Sequence, residues 1–138
     1  MKIHIENLCK SYGGSPVLKN VSFTAGPGVT CIMAPSGSGK TTLLRQLKPA
    51  LAPRGRRLGR VLFDGQELAE LDPRRQSAEI GFVSQDPDSQ LVTDKVWHEL
   101  AFGLESLGLE TPVLRRPVAE MASFFGIQTC VHRNPADL

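Results

Sequence analysis

From Ala34 to Thr42 the chain reads Ala-Pro-Ser-Gly-Ser-Gly-Lys-Thr-Thr. Glycines interleaved with small hydroxyl residues let successive backbone N–H groups converge on one point, an arrangement suited to an anion. The run Val29 to Ala34, rich in β-branched residues, reads as a strand feeding the loop. Beyond it, Leu43, Leu44, Leu47 and Leu51 recur at helical spacing over Thr41 to Leu51, so the positive end of a helix dipole backs the loop. A glycine-rich loop between a strand and a helix is the setting of a phosphate-binding P-loop. Phosphate is therefore the expected ligand. Ser36, Gly37, Ser38, Gly39 and Thr42 belong to the cradle, Lys40 reaches the β- and γ-phosphates as a point charge, and the Thr41 hydroxyl ligates Mg2+. The first motif position is usually glycine, and Ala34 there would cost about 1 kcal/mol if the backbone required a positive φ.

Other chemistry-bearing residues form no comparable constellation. Val61-Leu62-Phe63-Asp64 imitates an apolar strand ending in a Mg2+-binding aspartate, but Gly65 turns it into a tight-turn signal. Asp86 is followed directly by Pro87. Cys9, Cys31 and Cys130 lack disulfide or C-x-x-C spacing, and His4, His98 and His132 lack ligand spacing. A formal charge of +2 is too small to imply a nucleic-acid partner, and Lys48, Arg54, Arg56, Arg57 and Arg60 read as a solvated basic loop. No apolar run reaches the length of about 20 residues that a membrane span needs, and MKIHIENLCK lacks the core of a signal peptide. A cytoplasmic location is expected, with any membrane role running through a partner.

The elements that must hold these residues follow from pattern. Lys2 to Asn7 and Leu18 to Thr24 alternate polar and apolar residues around the turn-rich stretch 11–16, which predicts two strands. Val61 to Phe63 and Glu79 to Ser84 are further candidate strands. Val96, Trp97, Leu100, Leu104 and Leu107 predict a helix over 94–107, N-capped by Thr93 or Asp94 and closed at Gly108. A second helix is predicted from about Val113 to Phe125, closing at Gly126, with Pro117 best tolerated if the helix begins near Arg116.

The succession of Tyr12, Ala34-Pro35-Ser36-Gly37-Ser38-Gly39-Lys40-Thr41-Thr42-Leu43-Leu44 and Phe82-Val83-Ser84-Gln85-Asp86-Pro87 resembles the nucleotide-binding subunits of ABC transporters, over essentially the whole chain. The stretch GFVSQDPDSQLVTDKVWHELAFGLESLGL is similar to the ATPases of energy-coupling-factor importers, which take up vitamins and transition metals such as cobalt or nickel. The resemblance implies that Tyr12 stacks on adenine. It gives Gln85 a catalytic and metal-binding role, as the Q-loop glutamine that reaches Mg2+ or the attacking water in a loop touching the membrane subunit. Read from residues alone, Tyr12 also fits a partly buried loop tyrosine, and Gln85 a polar residue ending a strand.

The implied cofactors are ATP and Mg2+. The implied partners are a transmembrane subunit and a second ATP-binding subunit in a head-to-tail dimer, placing the chain peripherally on the cytoplasmic face of the membrane. The implied fold is α/β: a P-loop core with a mostly parallel sheet over about 1–92, an N-terminal antiparallel β layer, and a helical arm over about 93–131. The family's LSGGQ signature, Walker B carboxylates and switch histidine have no counterpart in these 138 residues, and His132 lies upstream of the switch position. Leu138 matches the first residue of the signature, so the domain is expected to be incomplete at its C-terminus and the chain inactive in hydrolysis by itself. Alternative readings are a stand-alone P-loop NTPase or kinase, and a non-catalytic truncated remnant.

Overall fold

The computed structural model describes residues 2–138, which form two compact units, residues 2–80 and 81–138. The first unit is built on a four-stranded sheet in the order β2-β1-β3-β4. Its strands are β1 (Ile3–Tyr12), β2 (Ser15–Ala25), β3 (Arg56–Phe63) and β4 (Gln66–Glu67), and every pairing is antiparallel. The two long strands run well past the predicted segments. In β1, Ile5 lies on the buried face, yet so do Leu8 and Lys10, so the alternation changes phase. Asn7 causes the change: its φ of 48° places it in the left-handed region and bulges the strand. Asn20 does the same in β2 at φ 51°, between Leu18 and Val21. Opposite Asn7, Gly59 of β3 has φ 85°, and a Cβ there would lie 2.3 Å from the Asn7 carbonyl oxygen, so glycine is required. β1 and β2 thus switch faces at one level, while β3 keeps Arg57, Val61 and Phe63 on one face and supplies the glycine that lets the β1 bulge pass; a strict period of two therefore ends β1 too early.

The Asp64-Gly65 turn forms as predicted, with φ of 47° and 85°, and connects β3 to β4. Helix α1 (Lys40–Gln46) follows the glycine-rich loop and is shorter than predicted, ending in a separate 3-10 turn at Pro49–Leu51. Helix α2 (Pro73–Glu79) is an element the hydrophobic pattern does not predict. It starts on Asp72, whose carboxylate accepts the Arg75 N–H at 3.1 Å, with Pro73 in the first turn. The core of the unit consists of Ile5, Leu8, Leu18, Leu43, Val61, Phe63, Leu68 and Leu71.

Two expected strands do not form. Residues 29–34 and 81–84 are in no strand, and Val29 and Met33 are 99% and 87% exposed. A parallel sheet is stable when neighbouring strands pair its edges and helices cover both faces. Two short isolated segments satisfy neither condition, so the mostly parallel sheet is absent among the described residues. The basic cluster is also not a solvated loop. Arg56, Arg57 and Arg60 lie on β3, where Arg60 pairs with Glu6 of β1 at 2.6 Å and its hydrogen bond holds the Glu6 carboxyl below its ordinary pKa. The Lys48 ammonium donates to the Gln76 carbonyl at 2.9 Å and to that of Ile80, closing the C-terminal end of α2.

The second unit holds helices α3 (Val96–Ser106) and α4 (Thr111–Phe124), packed through Ala101, Leu114 and Val118 with Trp97, Leu100 and Leu104. Both helices end as predicted, on Gly108 and Gly126, each with positive φ. In each, the glycine N–H and the next N–H fold back on the last turn: Gly108 to Glu105 and Leu109 to Leu104, Gly126 to Ser123 and Ile127 to Ala122. The start of α3 differs from expectation. Its N-cap is Lys95, and Thr93 instead joins a cluster on Glu99, whose carboxylate accepts the Val92 and Thr93 N–H groups and the Thr93 hydroxyl. Helix α4 begins at Thr111 and carries Pro117 in its interior rather than in its first turn.

Because two backbone carbonyls at the end of α2 depend on Lys48, Lys48→Ala is expected to destabilise the chain by about 1–2 kcal/mol. Urea unfolding beside Arg54→Ala, whose side chain is exposed, measures the difference.

Candidate functional site: the glycine-rich loop

The loop 34–39 is exposed through Ser38, and Gly39 and Lys40 are half-buried where α1 begins. Gly37 and Gly39 have φ of 78° and 94°, and Gly39 is the N-cap of α1. Ala34 does not have a positive φ, so the alanine at the head of the motif carries none of the strain it would suffer in a left-handed conformation. The loop closes on itself through the Ser38 N–H to Pro35 carbonyl bond at 3.3 Å, and α1 starts with Leu43 N–H to Gly39 carbonyl at 2.8 Å. No side chain caps α1 and no acidic residue stands in its first turn. Its first N–H groups thus keep their donor capacity for an anion, with no carboxylate opposing one. The Lys40 ammonium donates to the Ala34 and Pro35 carbonyls at 2.6 and 2.7 Å, so the loop curls around its own lysine. Thr41 and Thr42 follow in the first turn of α1, with Thr41 exposed.

Close approach to β2 holds this loop in place. A Cβ on Gly39 would lie 3.0 Å from Val17 Cγ1, 3.2 Å from Leu18 Cδ2 and 3.3 Å from the Val17 carbonyl oxygen. Val17 belongs to the hairpin that carries Tyr12: Tyr12 pairs with Ser15 across a turn at Gly13 and Gly14, both with positive φ. From Ser15 to Val17 is about 7 Å along a strand. The hairpin therefore brings Tyr12, remote in sequence, to the neighbourhood of the loop. The Tyr12 ring is half-buried, lies 5.5 Å from the Lys10 ammonium, and borders Gly55, where a Cβ would lie 3.2 Å from Tyr12 Cδ1.

Gln85 lies in the second unit, in an exposed bend rather than at the end of a strand. Its loop is shaped by a residue that pattern reading did not single out. The Gln90 side chain accepts the Ser84 N–H at 2.9 Å and donates to the Phe82 carbonyl at 3.4 Å, while the Ser84 and Ser89 hydroxyls both donate to the Asp86 carbonyl. The only sequence signal for this is an amide following a run of turn formers, Asp86-Pro87-Asp88-Ser89. Asp64, rejected above as a metal-binding aspartate, sits in the turn after β3 and accepts the Lys2 backbone N–H at 2.6 Å. Among the described residues no group of three or more His, Cys, Asp or Glu side chains is placed to hold a metal ion. A cation at the loop would rest on a hydroxyl such as that of Thr41 and on phosphate oxygens. No described helix is long and apolar enough to cross a membrane.

A glycine-rich loop at the head of a helix, beside a hairpin bearing an aromatic ring, is the geometry the described residues offer within an α/β fold. Residues 18–136 match the family model of the ABC transporter, and the chain belongs to that family. It is 40% identical over 133 residues to a protein of Bacillus cereus, an alignment covering 94% of this chain and 24% of the relative. It is 36% identical over 125 residues to one of Pyrococcus horikoshii, covering 91% and 47%. A third, from Streptomyces coelicolor, is 37% identical over 142 residues, covering 99% and 25%. The names of all three class them as ABC transporter ATP-binding proteins. The chain thus spans between about a quarter and about half the length of these relatives.

Gly39→Ala combines a left-handed backbone with a contact at the limit of real Cβ packing. It is expected to lower stability by about 1–2 kcal/mol, whereas Ala34→Gly changes it by less than about 1 kcal/mol. Urea unfolding of the two variants side by side measures the contrast.

Proposed function

We propose that the chain is the N-terminal part of the ATP-binding subunit of an ABC transporter, and that the loop 36–42 holds the phosphates of ATP. The observation that carries this reading is the loop itself: left-handed glycines at 37 and 39, an uncapped helix start with no acidic neighbour, and Lys40 at its head. In this reading the N–H groups of Gly37 to Thr42 and the Lys40 ammonium neutralise the β- and γ-phosphates, which requires Lys40 to exchange its bonds to Ala34 and Pro35 for phosphate oxygens. The Thr41 hydroxyl ligates Mg2+, which when bound neutralises phosphate charge. Tyr12 offers its ring to adenine, and Gln85 approaches Mg2+ or the attacking water in the complete protein.

The complete protein would couple ATP binding and hydrolysis to transport through a transmembrane subunit. A second ATP-binding subunit in a head-to-tail dimer would complete each site, with the assembly at the cytoplasmic face of the membrane. Residues 1–92 would act as the core and 93–131 as the arm. The resemblance of residues 81–109 to energy-coupling-factor ATPases supports an importer of that type.

In this reading Lys40 and Thr41 hold the nucleotide, while the Walker B carboxylates, the signature and the switch histidine that the family uses for hydrolysis have no counterpart in the 138 residues. Lys40→Ala is therefore expected to weaken binding of a fluorescent ATP analogue at least tenfold, while Arg115→Ala, on the exposed side of α4, changes it less than about twofold. Phosphate release should remain at background for all three proteins. Equal losses in the two variants contradict the loop assignment, and Lys40-dependent turnover contradicts the expectation that these 138 residues bind ATP without hydrolysing it.

A further inference from the structure

Lys10 is the most deeply buried charged side chain among the described residues, at 3% exposure. It sits on the core-facing side of β1, paired across the sheet with Leu18 and Arg57. Its ammonium donates to the Pro53 carbonyl at 2.6 Å and the Gly55 carbonyl at 3.1 Å, and lies over the Tyr12 ring at 5.5 Å from its centre. Fastening two carbonyls needs donors but no charge, and a neutral donor would do it at lower desolvation cost. What the charge adds is attraction to the π face of Tyr12, which lies within the range where a cation and an aromatic ring interact. The same two bonds hold the 53–55 segment against the ring. Gly55, at φ 128°, approaches so closely that a Cβ there would lie 2.5 Å from the Ser11 carbonyl oxygen. The ring is thus fixed from one face by Lys10 and at its edge by Gly55.

Resting on the reading of Tyr12 as an adenine platform, we propose that Lys10 is a positioning residue for that platform, giving the site its preference for a base-bearing nucleotide over a bare polyphosphate. Lys10 covers one face of the ring, so the base stacks on the other. The lysine touches neither base nor phosphate. It acts by holding the ring at the angle stacking requires, so its removal affects only ligands that carry a base.

Calorimetric titration of the 138-residue chain with ATP and with inorganic tripolyphosphate, both with Mg2+, tests this. Lys10→Met and Lys10→Gln are expected to weaken ATP about three- to tenfold and to leave tripolyphosphate unchanged, while Lys10→Arg keeps most of the ATP affinity. In a Tyr12→Ala background, Lys10→Gln is expected to cause no further loss. Lys10→Gln retains a donor for the carbonyls, so it and Lys10→Arg decide the question if Lys10→Met does not fold. Equal losses for both ligands, or the same ATP loss in the Tyr12→Ala background, would overturn the proposal by reducing Lys10 to a structural role. The underlying reading fails separately: its failure shows as ATP binding by the unaltered chain that is insensitive to both Lys40→Ala and Tyr12→Ala.

Discussion

The contact on which the site depends is the approach of Gly39 to the backbone and side chain of Val17. It joins the glycine-rich loop to the sheet, and it is possible only because Gly39 lacks a Cβ and accepts a φ of 94°. From that contact the arrangement radiates along β2. Toward the turn lies Ser15, paired with Tyr12; on the core side lies Leu18, packed with Leu43 of α1. The loop, the helix behind it and the aromatic ring beside it therefore share β2 as their support.

The sheet can serve as that support because its bulges are aligned. Asn7 and Asn20 change the phase of two adjacent strands and Gly59 of β3 makes room for the first bulge, so buried residues face the core on both sides of the bulge level. Without the change, Leu8 and Lys10 would face away from the core if Ile5 faced toward it. Lys10 would then lose its place beneath Tyr12. The bulges are held by side chains as well as by backbone: the Asn7 N–H donates to the Ser22 hydroxyl at 2.8 Å, and the Asn20 N–H reaches the Cys9 sulfur at 3.2 Å.

The glycine-rich loop, the tight turn at Asp64-Gly65 and the glycine ends of α3 and α4 were legible in the sequence, because each depends on local conformational preference. Strand lengths were not, since a left-handed asparagine inverts the alternation that marks a strand. Helix α2 escaped because its cue was the pair Asp72-Pro73 and not an apolar stripe. Segments 29–34 and 79–84 carry strand-like composition, yet composition supplies no partner strand, and neither forms a strand among the described residues. The lysines were the hardest to read. Lys10, Lys40 and Lys48 all donate to pairs of backbone carbonyls, and only Lys40 stood in a motif that announced its surroundings.

The central claim is that the backbone of the loop, aided by Lys40, receives phosphate while the Tyr12 hairpin receives the base. Amide resonances followed by NMR as Mg-ATP is added test it residue by residue. The account predicts the largest shifts at Gly37, Ser38, Gly39, Lys40 and Thr41, a second group at Tyr12 to Gly14, and loss of both in Lys40→Ala at the same ATP concentration. Shifts concentrated elsewhere in the chain, or a response in the loop that survives Lys40→Ala unchanged, would contradict it.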